Sequence, residues 1–97
     1  MNIQLEADHL EEVRRLLGTH LPGARAWCFG SRATGKARRF SDLDIAVEME
    51  GGVPWRRLSE LKEAFSESDL PITVDVVDWD ALDPEFRAAI EKRRVPL

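Results

Sequence analysis

The sequence lacks several features that would define a secreted or membrane-bound protein. Its 97 residues contain one cysteine, Cys28, so an intrachain disulfide or a site built from several thiolates is excluded. Cys28 lies in the apolar segment 26–29, where we expect a buried and inert thiol. No apolar run approaches the ~20 residues of a membrane-spanning helix, and the first six residues show no charged-then-apolar signal pattern. We therefore expect a cytoplasmic protein.

Repeats, low-complexity tracts and linkers are also missing, and the length fits one domain over 1–97.

The formal charge of −4 argues against a general nucleic-acid binder, because such proteins depend on cationic contacts to phosphates. The densest basic stretch contains Arg32, Lys36, Arg38 and Arg39. Two interpretations of this stretch stay open. It is either a solvated loop or a means of neutralising a bound triphosphate.

Hydrophobic periodicity and turn residues predict an α/β domain with a three-stranded sheet and four helices, in the order α-β-α-β-α-β-α. The predicted helices are 8–18, 32–37, 54–67 and 84–93, and the predicted strands are 26–29, 43–49 and 72–77. Asp8 with Glu11 is typical of a capping box, and Asp83 before Pro84 is typical of a helix start. Residues 95–97 are expected to form a tail.

The apolar faces of the last two long helices follow from residue spacing. In the helix over 54–67 the expected buried side chains are Trp55, Leu58, Leu61 and Phe65. In the last helix they are Phe86, Ala89 and Ile90. The tryptophans Trp27, Trp55 and Trp79 are most simply core or edge packing, although an exposed one could stack on adenine or serve a partner surface.

Three aspartates are the candidate functional groups. Side chains alternate along a strand, so Asp42 and Asp44 project to one side while Leu43 points into the core. If the strand that contains Asp75 is a neighbour, a third carboxylate joins this pair. Such a cluster is tolerable only when cations neutralise it, and oxygen-only ligands favour Mg²⁺ or Mn²⁺ over zinc.

Other polar residues near these motifs are expected to lie outside the site. Asp78 is an odd number of positions from Asp75 and should face the other way, so Asp78 and Asp80 are interpreted as strand-end or turn residues. His9, in the first turn of a helix, and His20, in a turn, are expected at the surface.

Gly30 and Ser31 follow the first predicted strand and are the candidate phosphate cradle. Glycine lets the backbone approach phosphate oxygens and take positive φ, and Ser31 adds a hydroxyl donor and a potential N-cap for a short helix limited by Gly35. Amides at a helix start favour an anion. Each motif alone is weak evidence, but their spacing behind apolar strands favours nucleotidyl transfer.

These segments resemble a known family. Residues 30–35 (GSRATG), 41–47 (SDLDIAV) and 74–78 (VDVVD) are similar to the minimal nucleotidyltransferases of the DNA polymerase beta superfamily. The resemblance spans nearly the whole chain and implies a mixed three-stranded sheet with four helices. It implies that Gly30 and Ser31 hold nucleotide phosphates. Asp42 and Asp44 would bind two Mg²⁺ ions, and Asp75 would complete a catalytic triad.

The resemblance also implies a substrate and a partner. Minimal nucleotidyltransferases of this kind act as antitoxins that transfer AMP from ATP to a tyrosine of an all-helical HEPN ribonuclease toxin. Arg32 could stabilise triphosphate charge, because guanidinium binds phosphate bidentately. The sequence ends one helix after the third acidic strand, so we expect acceptor recognition to come from a partner.

Two alternatives stay open: a non-catalytic antitoxin that covers the toxin's active site, and a small-molecule nucleotidyltransferase of the aminoglycoside-modifying type. The retained acidic cluster argues against the first and the absence of a second domain against the second. A direct nucleic-acid polymerase is less favoured still. Homo- or hetero-oligomers are both compatible with the sequence. Candidate partner contacts on the outer helices, with plain solubility as the competing explanation, are Arg14, Arg15, Arg87, Arg93 and Arg94.

Overall fold

The computed structural model describes residues 3–97 as one mixed sheet with helices on both faces. The helices are α1 (Ala7–His20), α2 (Ser31–Thr34), α3 (Trp55–Glu67) and α4 (Pro84–Glu91). The strands are β1 (Arg25–Phe29), β2 (Leu43–Glu48), β3 (Val74–Asp78) and β4 (Val95–Pro96). A 3-10 turn, Trp79–Ala81, follows β3. The predicted α/β class and element order are therefore confirmed up to the last strand.

The strand order is β3-β2-β1-β4, with β2 and β3 parallel and the other two pairs antiparallel. The prediction of three strands is wrong, because the expected tail adds a fourth. Cys28 pairs with Val95, and the amide of Leu97 donates to the carbonyl of Ala26 at 2.9 Å. This short strand satisfies backbone groups that would otherwise form an open edge of β1.

The main core lies on one face of the sheet. Leu43, Ile45 and Val47 alternate along β2 and are fully buried, as period-two patterning requires. They pack in one cluster with buried side chains of α1 and α3, such as Val13 and Leu61. Every second residue of β2 must then point to the opposite face.

That opposite face is covered over only part of its length. Ala46 of β2 packs there with Trp79 and with Ile90 of α4. Phe86 and Ala89 of α4 are exposed, Phe86 by 48%, so the predicted buried face of this helix is correct only for Ile90. The uncovered part of the face is where the acidic residues lie.

Several predicted helix boundaries shift. α1 continues through Gly18 to His20, and the Thr19 hydroxyl donates to the Arg15 carbonyl in its last turn. Asp8 lies inside α1 and does not cap it; Asp83, in contrast, accepts a hydrogen bond from the Glu85 amide and caps α4 as predicted. α2 ends at Thr34, before Gly35, and begins one residue earlier than expected.

The predicted buried face of α3 is only partly correct. Leu61 and Phe65 are buried and Leu58 is partly buried, whereas Trp55 is 75% exposed at the first turn.

Within residues 3–97, no helix is both long and apolar enough to cross a membrane.

Candidate active site

Asp44 and Asp75 are direct neighbours on parallel strands. The register of β2 and β3 pairs Leu43 with Val74 and Asp44 with Asp75, so the two carboxylates stand side by side on the less covered face. Asp42 is exposed immediately before β2, two positions from Asp44. The expected adjacency of Asp44 and Asp75 is therefore confirmed, and Asp42 is near enough for its charge to act on Asp44. Their catalytic and metal-binding roles stay predictions.

Asp44 is the electrostatic centre of this cluster. Its pKa is raised above the ordinary aspartate value, first by burial and then by the negative charges of Asp75 and Asp42. Each cause disfavours a third negative charge at this place. A bound cation would remove the conflict, and three carboxylates form the oxygen-only donor set that Mg²⁺ and Mn²⁺ prefer. The residues present thus fit a divalent metal site.

The spacing of side-chain oxygens limits how one ion could be held. Among residues 3–97, the single trio of acidic, histidine or cysteine side chains with ligand atoms all within 4.8 Å is Glu6, Asp8 and His9. That trio lies at the start of α1, and Glu6 and Asp8 are exposed. Asp42, Asp44 and Asp75 would need side-chain rotation before all three could contact one ion.

Gly30 lies against Asp44. Its φ of 74° and ψ of −156° belong to a region that L residues with a side chain rarely adopt. A Cβ at this position would stand 2.4 Å from Oδ2 of Asp44. Gly30 rather than Ser31 is the N-cap residue of α2, and its carbonyl accepts from the amides of Ala33 and Thr34. A side chain at residue 30 would therefore displace the carboxylate of Asp44 and strain the backbone of the turn.

Ser31 occupies the first position of α2 and is half-buried. Amides at the start of a helix have no acceptor within the helix and point outward with the positive end of the helix dipole. In α2 the amides of Ala33 and Thr34 donate to the Gly30 carbonyl, so this argument applies to those of Ser31 and Arg32. This placement beside Gly30 is compatible with the predicted phosphate cradle, which stays a prediction.

Arg32 has different surroundings from those expected of a triphosphate ligand. It is buried, and its guanidinium donates to the carbonyls of Ser41 at 3.0 Å, Gln4 at 2.6 Å and Arg39 at 3.3 Å. These contacts support a structural role, in which Arg32 holds the loop between α2 and β2. Phosphate contact by Arg32 stays a prediction.

Gln4 is a residue that the sequence reasoning missed. Its side-chain amide donates to the Ala37 carbonyl at 2.9 Å and accepts from the Ala37 amide at 3.1 Å. Its backbone amide donates to the Arg32 carbonyl at 2.7 Å. No local sequence signal could have indicated this, because the partners of Gln4 lie about thirty residues further along the chain.

Aromatic residues flank the acidic cluster on the same face. Phe29 is the β1 partner of Asp44 and meets the exposed Phe86 edge to face, with ring centroids 6.2 Å apart. Further along the face, Trp27 and Trp79 pack at 5.6 Å. Trp27 and Trp79 are thus packing residues, as expected.

Arg94 lies over both tryptophan rings, at 3.9 Å from the Trp27 centroid and 4.6 Å from that of Trp79. It also pairs with Glu91 at 3.7 Å. Arg94 is therefore held against the protein and only partly exposed, and its contact with a partner stays a prediction. This stack of Arg94 on the two tryptophans covers one end of the sheet face on which α4 packs.

The remaining acidic and thiol predictions near the site are correct. Asp78 pairs in register with Val47, on the face opposite to Asp75, and its side chain accepts from the amide of Asp80. Cys28 is fully buried. Burial raises the pKa of the Cys28 thiol to about 11, the Asp44 carboxylate adds to this shift, and Arg32 opposes it.

Residues 7–97 match the nucleotidyltransferase domain family. The chain is 41% identical over 90 residues to "Probable protein adenylyltransferase MntA" of Haemophilus influenzae, an alignment that covers 93% of this chain and 79% of the relative.

Two solved structures are similar to this fold. One is described as a "putative minimal nucleotidyltransferase", with a TM-score of 0.72 and 37% identity over 94% of this chain and 90% of that one. The other is a toxin–antitoxin crystal structure with AMP-PNP. Its TM-score is 0.75 and its identity 25%, over 89% of this chain and 69% of that one.

Proposed function

The chain belongs to the nucleotidyltransferase domain family, and we propose that it transfers AMP from ATP to a tyrosine hydroxyl of a partner toxin. The observation that carries the proposal is the in-register pair Asp44 and Asp75, with Asp42 two positions away and Gly30 packed on Asp44. The AMP-PNP in a similar toxin–antitoxin structure supports an adenine nucleotide as donor. The name of the relative from Haemophilus influenzae supports a protein acceptor.

The reaction forms a bond between the tyrosine oxygen and the α-phosphorus of ATP and breaks the α–β phosphoanhydride, releasing pyrophosphate. Gly30 would let the backbone approach the phosphates, and the adjoining amides of α2 would face their negative charge. Asp75 would accept the proton of the attacking hydroxyl, since it lies on the outer strand of the cluster.

Asp42 and Asp44, together with Asp75, would hold divalent cations, for which two Mg²⁺ ions are the family expectation. When bound, such ions lower the pKa of the attacking hydroxyl and neutralise the departing pyrophosphate. The raised pKa of Asp44 supports this assignment, because burial first and then the charges of Asp75 and Asp42 disfavour the ionised side chain, and a bound cation would offset both effects.

A HEPN toxin is the proposed partner, as the family resemblance implies and as the toxin–antitoxin structure supports. Mixed complexes of the two proteins are accordingly proposed. A cytoplasmic location stays a prediction of the sequence.

The direct experiment incubates the chain with Mg²⁺, the product of the neighbouring gene and ATP labelled at the α- or the γ-phosphate. The α-label alone should appear on the partner. Because this chain contains no tyrosine, any tyrosine-linked AMP must be on the partner. Asp42→Asn should abolish labelling, whereas Asp80→Asn, an exposed aspartate outside the cluster, should label normally. An unlabelled but tightly bound partner would instead favour a non-catalytic antitoxin.

A second measurement addresses the metal independently of activity. Mg²⁺ should raise the melting temperature of the wild-type chain, because a ligand that binds only the folded state stabilises it. The same addition should leave the melting temperature of Asp44→Asn nearly unchanged. Equal shifts in the two proteins would place the ion elsewhere.

A further inference from the structure

The loop before the acidic strand carries three cations that the proposed reaction does not use. We define the basic loop as residues 36–40, in which Lys36, Arg38 and Arg39 are exposed and Phe40 is 74% exposed. Within residues 3–97, no carboxylate lies within 4.0 Å of any of these cations. In a chain with a net charge of −4, the basic loop is therefore a local concentration of unpaired positive charge.

Hydrogen bonds hold the backbone of the basic loop, although within residues 3–97 its cationic side chains form no ion pair. Gln4 pairs with both backbone groups of Ala37, and the buried Arg32 donates to the Arg39 carbonyl. The Arg38 amide donates to the Ser41 hydroxyl at 2.8 Å. A fixed backbone lowers the entropy that must be lost on binding, so this loop is preorganised for recognition.

A cavity of about 580 Å³ opens beside the basic loop. Arg38, Arg39 and Phe40 line it together with the segment around Leu5 and the turn that contains Pro71. Glu6 and His9 also line the cavity and are the titratable groups facing these arginines from α1 and its N-cap.

The cavity is separate from the phosphate turn. Its lining includes neither Gly30 nor Ser31 and none of the aspartates Asp42, Asp44 and Asp75, although it does include Arg32, whose guanidinium is held by backbone carbonyls. Arg38 and Arg39 therefore border a space outside the acidic cluster and the turn at Gly30 and Ser31, and neutralisation of a triphosphate by these arginines stays a prediction.

We propose that the basic loop binds an acidic segment of the protein partner, with carboxylates on Arg38 and Arg39 and an apolar side chain in the cavity against Phe40. Since it takes a protein as partner, this inference rests on the proposed function. The rest of the chain is net negative and repels an acidic segment, so attraction at this one place would orient the partner. Three cations in an acidic chain match a short peptide better than a nucleic acid, which needs an extended basic surface.

The test measures binding of a fluorescein-labelled peptide rich in glutamate with one central tyrosine, by fluorescence anisotropy without ATP or Mg²⁺. The double variant Arg38→Ser with Arg39→Ser is compared with Arg56→Ser with Arg57→Ser. Both remove two exposed arginines, and both pairs adjoin an exposed aromatic. Arg39 lies over Phe40 at 5.4 Å and Arg56 over Trp55 at 5.6 Å. Phe40→Ala and Trp55→Ala form a second, uncharged pair.

We expect the Arg38 and Arg39 variant to weaken peptide binding roughly five- to tenfold, as loss of two exposed ion pairs would. The Arg56 and Arg57 variant should change it less than about twofold, because it alters only the overall charge. Phe40→Ala should weaken binding and Trp55→Ala should not. Raising the salt concentration should weaken wild-type binding and reduce the difference between the two double variants.

Four results would overturn the inference: no peptide binding, equal losses in the two double variants, displacement of the peptide by ATP, or tighter binding of single-stranded RNA with the same dependence on Arg38 and Arg39. The peptide-binding measurements contain no nucleotide, and ATP without Mg²⁺ and without the toxin is added only in the separate displacement titration, so neither outcome depends on transfer. Peptide binding without AMP transfer to the toxin would count against the proposed function alone. AMP transfer without peptide binding would count against this inference alone.

Discussion

Gly30 and Asp44 approach so closely that a single added carbon on the glycine would stand 2.4 Å from a carboxylate oxygen of the aspartate. The turn after β1 and the acidic strand β2 are thus shaped to each other. This contact joins the two motifs that the sequence keeps fourteen positions apart.

Gly30→Ala should reduce AMP transfer roughly 100-fold, because a shift of about an ångström at reacting groups has effects of that size. Strained backbone should also cost about 1–3 kcal/mol of stability. Gly35→Ala is the matched control: its φ is 77° but no atom lies within 4 Å of the added Cβ. It should lose about 1–2 kcal/mol and keep its activity per folded molecule. Equal activity losses in both variants would show that backbone strain, not contact with Asp44, is responsible.

Asp44→Asn should be more stable than wild type at neutral pH when divalent ions are chelated. The folded pKa of Asp44 is raised by burial and by Asp75 and Asp42, so the ionised side chain destabilises the fold above that pKa. This penalty fades as the pH falls through the folded pKa toward the ordinary value of about 3.9. Thermal melts with EDTA should therefore show a gap between the two proteins that is largest near pH 7 and closes near pH 4. A gap that widens on acidification would contradict the sign of the shift.

Arg32→Lys separates a structural from a phosphate-binding role. Lysine keeps the charge but cannot donate to three separated carbonyls, so about 1–3 kcal/mol of stability should be lost as buried acceptors go unsatisfied. Denaturant unfolding measures this loss, and steady-state kinetics measure the KM for ATP. A raised KM with unchanged stability would assign Arg32 to the triphosphate instead.

Cys28 should resist alkylation in the folded protein. It is fully buried, and its pKa of about 11 leaves almost no reactive thiolate at pH 8. Iodoacetamide at pH 8 should add no mass to the native chain and one carbamidomethyl group in urea, as read by intact mass spectrometry. Rapid modification of the native protein would mean that β1 opens readily at its pairing with β4.

Periodicity was sufficient for the parts of the fold that local rules control. Alternation along β2 separates Leu43 from Asp44, and Asp83 with Pro84 starts α4, because each signal depends on neighbouring residues alone. The pairing of Asp44 with Asp75 needed an assumption about strand neighbours, which the structure confirms.

Features set by distant contacts could not be predicted. β4 has only two residues and no pattern of its own, and it exists because β1 offers an unpaired edge. The burial of Arg32 depends on the carbonyl of Gln4, which lies 28 positions earlier in the chain. Trp55 has helical spacing to Leu58, yet it is the first residue of α3 and its side chain is exposed.

The register of the parallel strands β2 and β3 determines both the packing of the sheet and the position of Asp75 beside Asp44. A slip of one residue would turn Asp75 toward the apolar interior and push Val76 out to solvent. Such a misaligned species would hold an unpaired buried charge and would lie far above the native state in free energy. Molecules with misaligned strands should therefore be rare at equilibrium. Compact molecules should share the native register of β2 and β3.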